Sequence, residues 1–143
     1  MRHIRKTIGV AAAAAVCALT ASTGTAQAQP DSLYAPSSLV LTHGWGEEAM
    51  TAVVDRAVTL NCAPAPSGSH PAAEGACSEL RAVNAEFAAL SDPDPGVFCT
   101  REYNPVVVTA DGVWEGRRVS WSQTFGNPCE MRASLGDTAA FAF

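Results

Sequence analysis

The run Gly96-Val97-Phe98-Cys99-Thr100-Arg101-Glu102-Tyr103-Asn104-Pro105 joins three features that work together. A cysteine lies two residues before an arginine, a β-branched threonine stands between them, and a proline closes the run where a β-rich stretch begins. Trypsin-like proteases hold the side chain before the scissile bond in a deep pocket floored by a carboxylate, and the planar donor fork of arginine fits it. Threonine favours the extended backbone that such a site binds. A cysteine joined to a distant partner limits the ordering cost of docking. The bond marked out in this way is Arg101–Glu102. An ordinary surface arginine after a structural cysteine accounts for the local residues equally well.

Other chemistry is sparse. His43 and His70 sit in loop-like sequence with no motif around them, and both are expected to be solvated. There is no G-x-S-x-G, no H-E-x-x-H and no phosphate-cradling glycine loop, so the chain does not read as an enzyme. Trp45, Trp114 and Trp121 are expected to pack against the sheet rather than line a ligand groove. No C-x-x-C pair occurs and neither histidine lies at ligand spacing from a cysteine, so no metal or other cofactor is expected.

Placing one arginine for recognition needs a small rigid scaffold, and the composition suits one. Arg2, Arg5 and Lys6 precede an apolar run from Ile8 to Leu19 and a small-x-small site, Ala26-Gln27-Ala28. That is the anatomy of a secretory signal peptide over residues 1–28, and the run is too short to span a bilayer. The exported part, residues 29–143, then forms a single domain of about 115 residues. It holds six arginines, no lysine and fourteen acidic residues, a formal charge of −8. So acidic a chain excludes nucleic acid as a natural partner. Four cysteines remain, Cys62, Cys77, Cys99 and Cys129. In a small exported chain they imply two disulfides, with three connectivities open.

The pattern of elements is mixed. Ser37–Thr42 and Asp55–Cys62 read as strands, with a glycine-containing loop from His43 to Thr51 between them. Ala63–Pro71 is proline- and serine-rich loop. Cys77, Leu80, Val83, Phe87 and Leu90 recur at three- and four-residue steps and define one helix. A disulfide from Cys77 to Cys62 would clamp that helix to the end of the second strand. Pro105–Ala110 and Val113–Phe125 read as strands joined by a turn at Asp111-Gly112. Pro128–Leu135 is a short helical stretch and Thr138–Phe143 a last strand. The fold class is α+β: an antiparallel sheet of about five strands with one long and one short helix on one face.

Several longer motifs carry a family resemblance: LYAPSSLVLT (33–42), RAVTLNCAP (56–64), PSGSHPAA (66–73), CTREYNPVVVTADGVWEGRRVSW (99–121) and the terminal FAF. With the cysteine spacing, they make the chain resemble the Streptomyces subtilisin inhibitor family from about Leu33 to Phe143. The resemblance implies a five-stranded sheet covered by two helices, disulfides Cys62–Cys77 and Cys99–Cys129, and a homodimer formed through the sheet. It implies a secreted, extracellular inhibitor of serine proteases of trypsin and subtilisin type, with Arg101–Glu102 as the reactive bond. Phe98, Cys99, Thr100, Tyr103 and Asn104 would be further protease contacts, with Phe98 suited to an apolar subsite and Asn104 a hydrogen-bonding prop for the loop. The alternative is a secreted binding or cross-linking-substrate module on the same scaffold, in which Gln123 matters more than Arg101.

Overall fold

The computed structural model describes residues 34–143; the expected signal peptide lies outside the described residues. Five strands, β1 (Ser37–Trp45), β2 (Val53–Ala63), β3 (Ser67–Gly68), β4 (Val106–Trp114) and β5 (Arg117–Phe125), form one sheet in the order β3-β2-β1-β4-β5. Every neighbouring pair is antiparallel. Two helices, α1 (Ala73–Ala82) and α2 (Pro128–Leu135), and two 3-10 turns, Phe87–Leu90 and Ala139–Phe141, complete the chain.

Alternation along β1 decides which face is covered. Leu39 and Leu41 are buried while Ser38 and Val40 are exposed. In register, Leu39 faces Leu60, and Leu41 faces Val58 on one side and Ala110 on the other. Cross-strand partners share a face, so these residues form the inner surface. Cys77 and Leu80 of α1, Phe87, Leu90, Leu135 and Phe141 close over it. Both expected disulfides are present: Cys62–Cys77 ties the end of β2 to α1, and Cys99–Cys129 ties the candidate loop to α2.

Four expectations need correction. The helix drawn through Leu90 stops at Ala82. Asn84 and Ala85 both have positive φ, Ala85 N–H donates to Leu80 O at 2.8 Å, and Asn84 N–H donates to Arg81 O at 3.3 Å. That is a Schellman ending with asparagine in the left-handed position. Phe87 and Leu90 still reach the core, but from a separate 3-10 turn.

The hairpin turn is Glu115-Gly116, not Asp111-Gly112. Both turn residues have positive φ, 47° and 77°, as a two-residue hairpin of the primed type requires. Gly112 instead lies within β4, where a Cβ would sit 2.2 Å from Ser38 O, so it is the close approach of β1 that requires glycine there.

The third correction is the fifth strand. It is the short edge Ser67–Gly68, and the expected last strand is replaced by the 3-10 turn Ala139–Phe141 packed on α1. Glu79 Oε2 accepts the Ala140 N–H at 2.8 Å, and this pairing takes the place of a sheet ladder. Finally, His43 is not in a loop, and His70, which is in one, is not solvated. His43 lies within β1, half-buried, stacked on Phe143 with centroids 4.4 Å apart. His70 is buried, with Nδ1 accepting from Ala72 N–H and Nε2 bonded to Ala140 O. Trp114 is buried and Trp121 stacks on Phe87 as expected, whereas Trp45 at the end of β1 is exposed.

Candidate functional site

Val97 to Pro105 belongs to neither helix nor sheet. Phe98, Thr100, Arg101, Glu102, Tyr103 and Asn104 are all exposed, and Cys99 alone among them is half-buried. Phe98 is 94% exposed, which is extreme for an aromatic ring. Among the described residues, nothing pairs with the backbone N–H of any residue from Phe98 to Tyr103. The stretch offers its side chains and these N–H groups together, as a peptide bound in extended form must.

What holds it is the corner between β5 and α2. Asn127 caps α2: its Oδ1 accepts the N–H groups of Cys129 (3.0 Å) and Glu130 (3.1 Å). An asparagine there satisfies two N–H groups that a helix start leaves open, and Pro128 follows with a φ already suited to the first turn. Glu130 reaches back to the Gly126 N–H at 3.0 Å. Only 4% exposed, Asn127 is therefore held firmly, with its Nδ2 turned to the loop. Nδ2 donates to Thr100 O at 3.1 Å and to Glu102 O at 3.1 Å. Those two carbonyls stand immediately before and after Arg101. One amide thus spans Arg101.

Further ties fix the segment. Cys99 is bonded to Cys129 in the first turn of α2, with Cα atoms 5.6 Å apart. Asn104 N–H donates to Gly126 O at 2.9 Å. Upstream, the N–H groups of Asp92 and Asp94 donate to Ser134 O and Ala133 O near the end of α2. On the far side, Tyr103 Oη donates to the Glu47 carboxylate in the β1–β2 turn, which raises the Tyr103 pKa by holding the phenol proton and setting a negative charge beside it.

The sequence-derived residues are thus brought together, with one change of role. Asn104 contributes its backbone to the loop, while the side-chain prop is Asn127, which sequence reasoning passed over. The signal was available: Asn127-Pro128-Cys129-Glu130 is an N-cap followed three residues on by glutamate. Which chain segment the free amide of that cap would serve was not readable. Gln123, the residue of the alternative reading, is half-buried and donates to Ser91 Oγ at 2.9 Å.

A braced, exposed loop on a disulfide-tied domain is the geometry that the class of small protein inhibitors of proteases shares. Comparison with known proteins makes the class specific. The Subtilisin inhibitor-like family matches residues 35–127, and the chain belongs to that family, whose members are protease inhibitors and not enzymes. It is 53% identical to a subtilisin inhibitor of Streptomyces violaceus over the full length of both chains. It is 60% identical to subtilisin inhibitor-like protein 4 of Streptomyces lavendulae, over 80% of this chain and 97% of that one. Among solved structures it resembles Streptomyces caespitosus sermetstatin in complex with Bacillus licheniformis subtilisin. The TM-score is 0.72 and the identity 45%, covering 76% of this chain and 99% of the other.

Proposed function

We propose that the protein is a secreted inhibitor of trypsin-like and subtilisin-like serine endopeptidases that acts by substrate-like binding, with Arg101–Glu102 as the reactive bond. The observation that carries this reading is the double hydrogen bond from Asn127 Nδ2 to the carbonyls on either side of an exposed arginine.

The loop enters the cleft with Arg101 in the pocket that selects the residue before the bond, and Phe98 in an apolar subsite three residues upstream. The protease serine attacks the Arg101 carbonyl, and the bond to Glu102 N breaks as that nitrogen takes up a proton. The departing strand does not leave, because Glu102 O is held by Asn127 and Asn104 N–H by Gly126 O. Its amine stays beside the acyl-enzyme at high effective concentration, so resealing competes with water. The acyl side is tethered through Cys99–Cys129.

Residues 1–28 act as the export signal. No helix among the described residues is long and apolar enough to cross a membrane. The outer sheet face carries Val40, 45% exposed on the central strand, with Thr42 and Thr109 bonded to each other beside it at 2.8 Å. Pairing of that face with a second copy gives a two-fold homodimer whose reactive loops remain free.

Titration of trypsin and of subtilisin with purified protein tests the function. Stoichiometric loss of both activities is expected, with slow appearance of a product beginning at Glu102. Absence of any effect leaves the binding-module reading, and turnover of an ester substrate by the protein alone means an enzyme.

A further inference from the structure

We infer that Glu47 is a positioning residue for the departing half of the reactive bond, acting through Tyr103; the inference rests on the inhibitory reading above. Asn127 and Gly126, which hold Glu102 and Asn104, both belong to the β5–α2 corner. Tyr103, between them in sequence, is held from a different element. Its Oη donates to Glu47 Oε1 at 2.5 Å, across 56 residues of chain. Glu47 is itself well placed to act as a fixed point. Thr124 Oγ1 donates to Glu47 O at 2.8 Å, and Gly46 N–H donates to Pro105 O at 3.0 Å. Trp45 pairs with Val106, so the β1–β4 ladder runs up to the foot of the loop and the turn continues alongside it.

A phenol donating to a carboxylate is a charge-assisted hydrogen bond, and it strengthens when a docked partner excludes water. Tyr103 is the second residue after Arg101 and lies wholly on the departing side. Loss of this clasp therefore leaves recognition of Arg101 alone and lets the cleaved strand wander. Cys99–Cys129 holds the acyl side alone, Asn127 spans both sides through Thr100 O and Glu102 O, and Glu47 holds the departing side alone.

The test uses the exported chain as wild type and as Glu47→Ala, Glu47→Gln, Tyr103→Phe and the double variant Glu47→Ala/Tyr103→Phe. Each is incubated with catalytic trypsin until the ratio of cleaved to intact inhibitor is constant. One net hydrogen bond corresponds to a change of about fivefold, so Glu47→Ala and Tyr103→Phe should each raise the ratio by about that factor. The double variant should match the single ones, since both remove the same contact. Glu47→Gln, which keeps an acceptor, should restore most of the wild-type ratio. The rate of association with trypsin should be unchanged in Glu47→Ala and Glu47→Gln, whose substituted side chain lies outside the residues set against the protease. On a Tyr34→Phe background, absorbance titration should show the Tyr103 ionisation moving down when Glu47 is replaced by Ala. An unchanged ratio, additive effects, or a loss confined to association overturns the inference. A wild-type protein that neither inhibits nor is cut at Arg101–Glu102 overturns the function itself, and that result is read without any variant.

Discussion

Asn127 serves two structures with one side chain, and its two ends can be separated chemically. Oδ1 caps α2 and Nδ2 holds the loop. Asn127→Asp keeps the acceptor that caps the helix and replaces the donor with an oxygen facing two carbonyls. The expected outcome is a protein with a thermal midpoint near wild type that trypsin cuts rapidly at Arg101, turning inhibitor into substrate. Asn127→Ala loses both functions, and the cap alone is worth about 1 kcal/mol, so denaturant unfolding should show that loss as well. Arg101 belongs to the same scale. If its guanidinium fills a protease pocket, Arg101→Ala should weaken trypsin inhibition by about 4 kcal/mol or more. Subtilisin inhibition should change much less, and parallel inhibition assays on the two enzymes decide the matter.

At the scale of elements, the loop depends on α2 being anchored at its N-terminal end. The Cys99–Cys129 bridge spans 30 residues, and by loop-closure entropy such a bridge contributes roughly 3–4 kcal/mol. A Cys99→Ala/Cys129→Ala variant should be less stable by that order and should be hydrolysed faster at Arg101. Replacing Cys62 and Cys77, which tie β2 to α1, should cost stability and leave folded molecules inhibitory. Denaturant unfolding together with cleavage assays separates the two bridges. His43 in β1 gives the sheet a pH response. Burial first, and the positive charge of Arg56 second, hold its pKa below 6.5, and its Nε2 is buried without a partner among the described residues. The unfolded chain therefore binds a proton more readily than the folded one. Stability should fall as pH drops through about 6.5, and His43→Leu should remove that part of the slope in urea unfolding.

For the molecule as a whole, the two sheet faces have different tasks. The inner face is closed by α1, α2 and the two 3-10 turns, which bury Leu39, Leu41 and Leu60 almost completely. The outer face has no covering layer among the described residues, and Val40 stands on it at the central strand. Under the proposed dimer, Val40→Lys places like charges against each other across the two-fold axis. Light scattering should then read a mass near 12 kDa for the exported chain, against twice that for wild type, with inhibition per chain retained. A wild-type protein that is monomeric at micromolar concentration excludes the dimer.

Much of this was legible in the residues. Alternation and β-rich composition mark strands at 37–42, 55–62, 105–110 and 113–125, each overlapping an observed strand, apolar spacing marks a helix from Cys77 that overlaps α1, and 128–135 reads as the short helix that α2 is. The segment proposed as the bait is singled out by a cysteine, an arginine and a proline at fixed offsets, and it is exposed. These are short-range properties, and local sequence determines them. Where α1 stops is also local, set by the Schellman ending at Asn84 and Ala85, whereas which glycine makes the hairpin and how the terminus packs were decided by contacts distant in sequence. Gly112 reads as a turn until β1 is laid within 2.2 Å of where its Cβ would be. The run from Ala139 to Phe141 reads as a strand until Glu79 and His70 take its backbone groups. Local sequence marks Asn127 at most as a cap, because the two carbonyls it serves lie 25 and 27 residues away. No local pattern encodes an amide placed between two such carbonyls; only the closed sheet, with α2 brought against the loop, sets it there.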